Sequence, residues 1–315
     1  MMRAFVFGGG GSLGAMQIGA LMALFEQGIF PDLLVGCSVG ALNAAMMAHD
    51  YSWSSLERLV NIWGRVRRSD IYPGGKWSFL WRLLTRREGL VNNQNLYNYL
   101  VESGVDPNLR FGDLHHIPLL VTASNLYMKN LHVFGHSPDD YVLDALMASC
   151  AQPPYLAPWD VNGERFIDGG AVTPLPLRVA IEHGATEIYA LQIESRPRNV
   201  QSEVGPSFRS VRGMVNIVQH SIDMMIHQQA EHDLYLARQN PGVKLHQVEL
   251  LNTQISRTDF KSSGILIQSG YEMTLAHFEQ LPTPRQETSP PPQSTVEPFP
   301  LPFTNLHSSL YSPAD

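Results

Sequence analysis

The chain has little cysteine: Cys37 and Cys150 are the two thiols in 315 residues. That is too few for a disulfide framework, so a reducing, cytoplasmic setting is expected. Charge is also sparse, at 16% of residues, and acids outnumber bases 29 to 22 for a net of −7. A mildly acidic chain does not bind nucleic acid by bulk charge. No run of 18 apolar residues occurs, which excludes a transmembrane helix. Met1-Met2-Arg3 leads straight into Ala4-Phe5-Val6-Phe7 and then glycines. That apolar stretch is too short for a secretory h-region, so no signal peptide is expected. No internal repeat is apparent. Apolar residues are plentiful at 44%, enough for one large α/β domain or two small ones.

The most informative stretch is Leu34-Val35-Gly36-Cys37-Ser38-Val39-Gly40-Ala41-Leu42-Asn43-Ala44. A strand-like run meets Gly-x-Ser-x-Gly, and an alanine-rich helical pattern follows. A strand, sharp turn and helix in that order form the context in which this motif presents a reactive serine. Gly36 and Gly40 supply the small flanks the turn needs. Ser38 would stand at a helix N-terminus, beside free N–H groups and a positive dipole end. The motif alone is moderate, since roughly 0.1 chance matches are expected in a chain of this length.

A similar unit precedes it. Ala4 to Phe7 reads as a buried strand, Gly8 to Gly14 as a glycine loop, and Ala15 to Gly28 as a helix with Met16, Ile18, Leu21, Leu24 and Phe25 on one side and Gly28 as its stop. Such a loop exposes several backbone N–H groups to an anion. Four readings compete. Gly9, Gly11 and Gly14 fit a dinucleotide fingerprint, but Asp32 starts the next strand instead of ending it. A phosphate-binding P-loop needs Lys-Ser/Thr where Ala15-Met16 stand. An oxyanion hole would use the same N–H groups on a substrate carbonyl. A tight turn with no further role is the fourth. Two successive strand–loop–helix units imply parallel strands with both loops at one sheet edge, so the glycine loop and Ser38 would share a crevice.

Gly9-Gly10-Gly11-Ser12-Leu13-Gly14-Ala15, Gly19-Ala20-Leu21 and Gly36-Cys37-Ser38-Val39-Gly40 together resemble the patatin-like phospholipase family. Phe166-Ile167-Asp168-Gly169-Gly170-Ala171 through Pro176 is similar to that family's Asp-Gly-Gly motif. Ala148-Ser149-Cys150-Ala151-Gln152-Pro153-Pro154-Tyr155-Leu156-Ala157-Pro158 is similar to its small-residue and proline segment. The resemblance is close from Ala4 to about Ala180 and looser to about Leu281. It implies a three-layer α/β/α fold with a central, mostly parallel sheet. It also implies a lipid acyl hydrolase with a Ser38–Asp168 dyad, acting through an acyl-enzyme on a lipid or phospholipid. Gly9, Gly10 and Gly11 would form the oxyanion hole, and Gly14, Gly36, Gly40, Gly169 and Gly170 the turns. No metal or other cofactor is called for. The family often has Arg or Lys where Leu13 stands, so this chain lacks a positive side chain there.

A serine hydroxyl needs a base within hydrogen-bond reach. An exposed Asp, near 3.9, is a poor base at neutral pH, and burial would raise it. Read alone, Asp168 before two glycines is an ordinary turn residue. A Ser-His-Asp triad with His183 or His220 stays open, as does a non-catalytic lipid-binding protein on the same fold. Cys37 reads as small-residue packing beside the serine. Segment 51–87 holds Trp53, Trp63, Trp77 and Trp81 with eight basic residues. It reads either as a lipid-facing surface giving peripheral membrane contact or as a helical cap, about 51–110, whose tryptophans pack inward. Further on, a strand is expected at Ile117–Ala123 and another at Leu131–Phe134. A helix is expected at Asp139–Ser149, a last core strand at Glu187–Ile193, and helices at Val211–Gln239 and from about Ser263. Residues 1–282 form the expected catalytic domain. From Thr283 a Pro, Ser, Thr and Gln-rich tail, 283–315, is expected to be disordered.

Overall fold

The computed structural model describes residues 1–73, 88–195, 214–252 and 255–279. The expected tail and the Trp77–Trp81 part of the cap lie outside the described residues. The chain folds as a mixed α/β structure. Strands β1 (Arg3–Phe7), β2 (Leu33–Cys37), β3 (Leu119–Asn125), β7 (Glu187–Ser195) and β8 (Lys244–Asn252) run parallel in the order β3-β2-β1-β7-β8. Antiparallel β4 (Asn130–Phe134), β5 (Trp159–Val161) and β6 (Glu164–Asp168) complete the described sheet around β3.

The alternation of a strand assigns side chains to two faces. Phe5, Phe7, Leu34 and Leu191 join the larger core. It is closed by helices α1 (Ala15–Glu26), α2 (Val39–Ala48), α3 (Trp53–Arg65), the single turn α4 (Arg68–Ile71), α5 (Asn93–Glu102), α6 (Val142–Ser149) and α9 (Ser263–Glu279). Ala4, Val6, Val35, Ile188 and Ala190 face a smaller core with α7 (Leu177–Glu182) and the C-terminal part of α8 (Met214–Arg238), through Leu234 and Ala237. Helices thus cover both faces of a mostly parallel sheet, as expected. α1 and α9 cross with their backbones in contact, because a Cβ on Gly19 would strike the Ile267 carbonyl and one on Gly270 the Met16 carbonyl.

Helix α1 runs to Glu26, and Gly28, at φ +66°, makes the turn just beyond it, the stop expected there. One expectation needs correction. Glu187–Ser195 is not the sheet's last core strand, since β8 pairs along its whole length. β8 alternates polar and apolar side chains, which hides it from a search for continuous apolar runs. The strand pair β5–β6 was not anticipated, and it delivers Asp168.

The register explains the meeting of residues 130 positions apart. β4 occupies one edge of β3 along Val121–Asn125. On the other edge β2 pairs up to Cys37–Thr122, and β6 takes over with Asp168 opposite Ala123. Asp168 therefore lies at the point where β2 ends and Ser38 begins.

Candidate active site

Ser38 sits between β2 and α2 with φ +54° and ψ −129°, a conformation that favours glycine over any L side chain. The flanks make room for it: a Cβ on Gly40 would lie 2.5 Å from the Phe7 carbonyl, and one on Gly36 2.5 Å from Ala41 Cα. Ser149 holds the turn in place. Its Oγ accepts the Ser38 N–H at 2.8 Å and donates to the Thr122 carbonyl at 2.7 Å.

Ser38 Oγ donates to Asp168 Oδ2 at 2.7 Å. The other carboxylate oxygen accepts the Gly170 N–H at 2.8 Å and faces the Cys37 thiol at 3.9 Å. Ser124 Oγ donates to the Asp168 carbonyl at 3.0 Å and pins its backbone. Asp168 is only 6% exposed. Burial raises its pKa from 3.8 to about 6, against the lowering effect of the hydrogen bonds from Ser38, Gly170 and Cys37. Burial, then the Asp168 charge, pushes the Cys37 thiol well up, so it stays neutral and is no rival nucleophile. Among the described residues, no histidine hydrogen-bonds Ser38 or Asp168. His183 bonds His136 and the Val179 carbonyl instead, and His220 is exposed on α8.

The glycine loop lies against the serine, since a Cβ on Gly9 would be 3.3 Å from Ser38 Cβ. The structure alters the expected donor set. Gly9 N–H donates to the Pro174 carbonyl at 3.0 Å and so is engaged, whereas among the described residues the N–H groups of Gly10 and Gly11 have no backbone partner. A buried polar chain fixes the loop. Trp63 Nε1 donates to Asn43 Oδ1, Asn43 Nδ2 to Gln17 Oε1 and the Gly14 carbonyl, and Gln17 Nε2 to the Gly8 carbonyl, all within 3.0 Å. Outside it, the Arg257 carbonyl accepts the Ser12 N–H at 2.9 Å. Leu13 is fully buried in the larger core, not beside the crevice.

An apolar cavity with about 870 Å³ of empty space, its mouth included, opens at Ser38. Leu42, Met46, Leu59, Leu100 and Leu146 are among its walls. Ser38, Leu42 and Met46 follow one face of α2, so the cavity extends roughly 12 Å from the serine. The cap therefore packs inward where it is described. Leu56, Leu59, Val60 and Trp63 of α3 are buried, and Trp63 stacks on Phe260 at 6.4 Å. On the far side of Asp168 an open groove borders α8, lined by Gln152, Pro153, Gly170, Met224 and Met225.

Sequence reasoning did not find Ser149, Gln17 or Asn43 as supports of the site. Ser149 lay in the small-residue segment already singled out, but nothing in its spacing reveals its partner on β3. A buried Gln17 inside an apolar helix face was the one local signal for the polar chain.

A serine on a strand–turn–helix bend, paired with a buried carboxylate and a glycine loop in a three-layer α/β fold, defines the class of the protein. The patatin-like phospholipase family model matches residues 5–181, and the chain belongs to that family. It is 29% identical over 208 residues to lysophospholipase NTE1 of Saccharomyces cerevisiae, covering 64% of this chain and 11% of that protein. It is 27% identical over 204 residues to human patatin-like phospholipase domain-containing protein 6, covering 65% of this chain and 14% of that one. The chain thus matches little more than a tenth of these relatives' length. Among solved structures, VipD from Legionella pneumophila shares the fold, with a TM-score of 0.51 and 17% identity over 88% of this chain and 67% of that one.

Proposed function

We propose that this chain is a serine hydrolase that cleaves carboxyl esters of lipids. The observation that carries the reading is the 2.7 Å bond from Ser38 Oγ to a buried Asp168 at the mouth of an apolar cavity. Asp168, ionised above about pH 6, takes the Ser38 proton as Oγ attacks the ester carbonyl. The N–H groups of Gly10 and Gly11, with the N-terminal end of α2, stabilise the oxyanion. Asp168 returns the proton to the departing alcohol or lysolipid, leaving an acyl-Ser38 ester. Water, deprotonated by Asp168, then releases the fatty acid and regenerates Ser38. The cavity along α2 takes the acyl chain. The lysophospholipase and phospholipase names of the relatives support a lipid as the substrate, and a lipid substrate brings the protein to a bilayer surface.

The test is hydrolysis of a p-nitrophenyl acyl ester by the wild type, Ser38→Ala and Asp168→Asn, with fluorophosphonate labelling and peptide mapping. Loss of activity in both variants and a label on Ser38 are expected. Undiminished hydrolysis in either variant, or a label elsewhere, refutes the dyad.

A further inference from the structure

The opening of the site carries charge that hydrolysis does not use. A groove with about 1600 Å³ of empty space runs along the outer side of the Trp63–Phe260 wall. Trp63, Val66 and Phe260 line both this groove and the cavity at Ser38. Arg65, Arg67 and Arg68, at the α3–α4 junction, face Lys261 across it. All four side chains are exposed, and among the described residues none of them makes an ion pair. The nearby acids are occupied with backbone. Asp70 accepts the Arg67 N–H at 2.8 Å, and Asp259 accepts the Lys261 N–H at 2.9 Å. Four cations against two carboxylates leave a local positive excess on a chain whose net charge is −7.

A second groove, which meets the Ser38 cavity at Gln152, has an apolar border. Met224 and Met225 of α8 are 62% and 61% exposed and border the groove that reaches Asp168. Arg257 and Asp223, 3.8 Å apart, join the loop before Lys261 to α8 beside those methionines. A basic groove and exposed methionines thus lie on either side of the Arg257–Asp223 pair, each groove sharing lining residues with the Ser38 cavity. That combination is what a protein uses to lie on a lipid surface: cations meet phosphates, and flexible apolar side chains enter the boundary below the head groups. An acidic protein partner would match the cations but leave the methionines and the acyl cavity unexplained.

We infer that this face docks on membranes rich in anionic phospholipids. Their phosphates seat among Arg65, Arg67, Arg68 and Lys261, and Met224 and Met225 enter the interface. Docking in this way turns the mouth of the Ser38 cavity toward the bilayer. The inference deepens the lipid-hydrolase reading, but the binding it describes does not require catalysis.

The experiment therefore uses the full chain carrying Ser38→Ala, which cannot consume the vesicles. Co-sedimentation is measured with phosphatidylcholine vesicles and with mixed phosphatidylcholine–phosphatidylglycerol vesicles. Preferential binding to the mixed vesicles is expected, weakening with salt. Removing Arg65, Arg67 and Lys261 together (Arg65→Gln, Arg67→Gln, Lys261→Gln) should weaken it about a hundred-fold, at about five-fold per charge. Met224→Ser with Met225→Ser should weaken it without changing the salt dependence. The charge variants with Ser38 intact should keep the wild-type rate on a soluble short-chain ester, which also reports that they fold. Equal binding to neutral and anionic vesicles, or unchanged binding by the triple variant, overturns the inference. So does capture of polyglutamate in place of vesicles, which would assign the groove to an acidic peptide. Loss of vesicle binding alone leaves the hydrolase standing, whereas soluble-ester hydrolysis surviving Ser38→Ala refutes Ser38 as the nucleophile and leaves the docking intact.

Discussion

Replacing Asp168 by Asn should abolish activity and stabilise the protein, with a pH dependence that identifies the cause. The fold raises this acid from 3.8 to about 6. At 1.36 kcal/mol per pKa unit, ionising it in the folded state costs about 3 kcal/mol more than in the unfolded chain. The group is buried, so solvent screening does not reduce the figure. Between 3.8 and about 6 the folded state binds the proton more tightly than the unfolded chain, so this contribution to stability falls as pH rises through that window. Asparagine keeps an acceptor for the Gly170 N–H and carries no charge. Its stability advantage over the wild type should therefore widen by about 2 kcal/mol between pH 4.5 and pH 7, a relative gain in Tm of roughly 4–8 °C. Urea or thermal unfolding at the two pH values measures it. In the wild type, kcat/KM should fall about tenfold per pH unit below pH 6, because only the ionised carboxylate accepts the serine proton. A variant that is destabilised equally at both pH values would show that Asp168 acts only as a turn cap. A wild-type rate flat through pH 6 would show that it is not the base.

Three further outcomes follow from the same geometry. Ser38→Gly should raise stability by about 1 kcal/mol at pH 5 while eliminating hydrolysis, because glycine adopts φ +54° without strain; loss of stability in urea unfolding would contradict the strained turn. Met46→Trp should block the cavity roughly 12 Å from Ser38, so long-chain esters lose kcat/KM while butyrate esters do not; equal losses across chain lengths would place the acyl chain elsewhere. Ser149→Ala leaves the Ser38 N–H without its acceptor, so it should cost about 1–3 kcal/mol of stability and lower kcat with little change in KM; unchanged kcat would show that the turn holds its shape without the clamp.

The glycine loop and the serine turn were legible because each is a backbone requirement written locally, whereas Asp168 alone read as an ordinary turn residue and its pairing with Ser38 came only with the family resemblance. A strained turn needs Gly36 and Gly40 within two residues of Ser38, and a carboxylate with backbone close behind it needs Gly169 and Gly170. The parallel order of β1 and β2 followed from two strand–loop–helix units in succession. What stayed hidden is not local. The handover from β2 to β6 on the edge of β3 depends on register between strands more than forty residues apart, and Glu164–Asp168 is too short and mixed in polarity to announce a strand. The engagement of Gly9 depends on where Pro174 returns to the sheet, so Gly8 and Gly9 have their N–H groups engaged by Leu191 and Pro174, while those of Gly10 and Gly11 have no backbone partner among the described residues. The Trp63–Asn43–Gln17 chain joins three helices, and no spacing within one of them predicts it.

The edge handover on β3 also accounts for a site in which carboxylate and serine meet without a histidine between them. A base carried on a loop would sit in water, near 3.9, and accept a serine proton poorly. Asp168 instead ends a strand paired into the sheet, so its carboxylate is held away from water by the same backbone that aims it at Ser38. Burial that disfavours its charge is what lifts its proton affinity toward neutral pH. The hydrogen bonds from Ser38, Gly170 and Cys37 keep the rise moderate, leaving the group ionised at pH 7. In the proposed mechanism, more burial would protonate Asp168 and disable it as a base, and less would return it to the ordinary range. Stability and the proposed reactivity are therefore opposed at this residue, and the gain expected for Asp168→Asn measures how much stability the fold gives up to hold a buried, ionised carboxylate against Ser38.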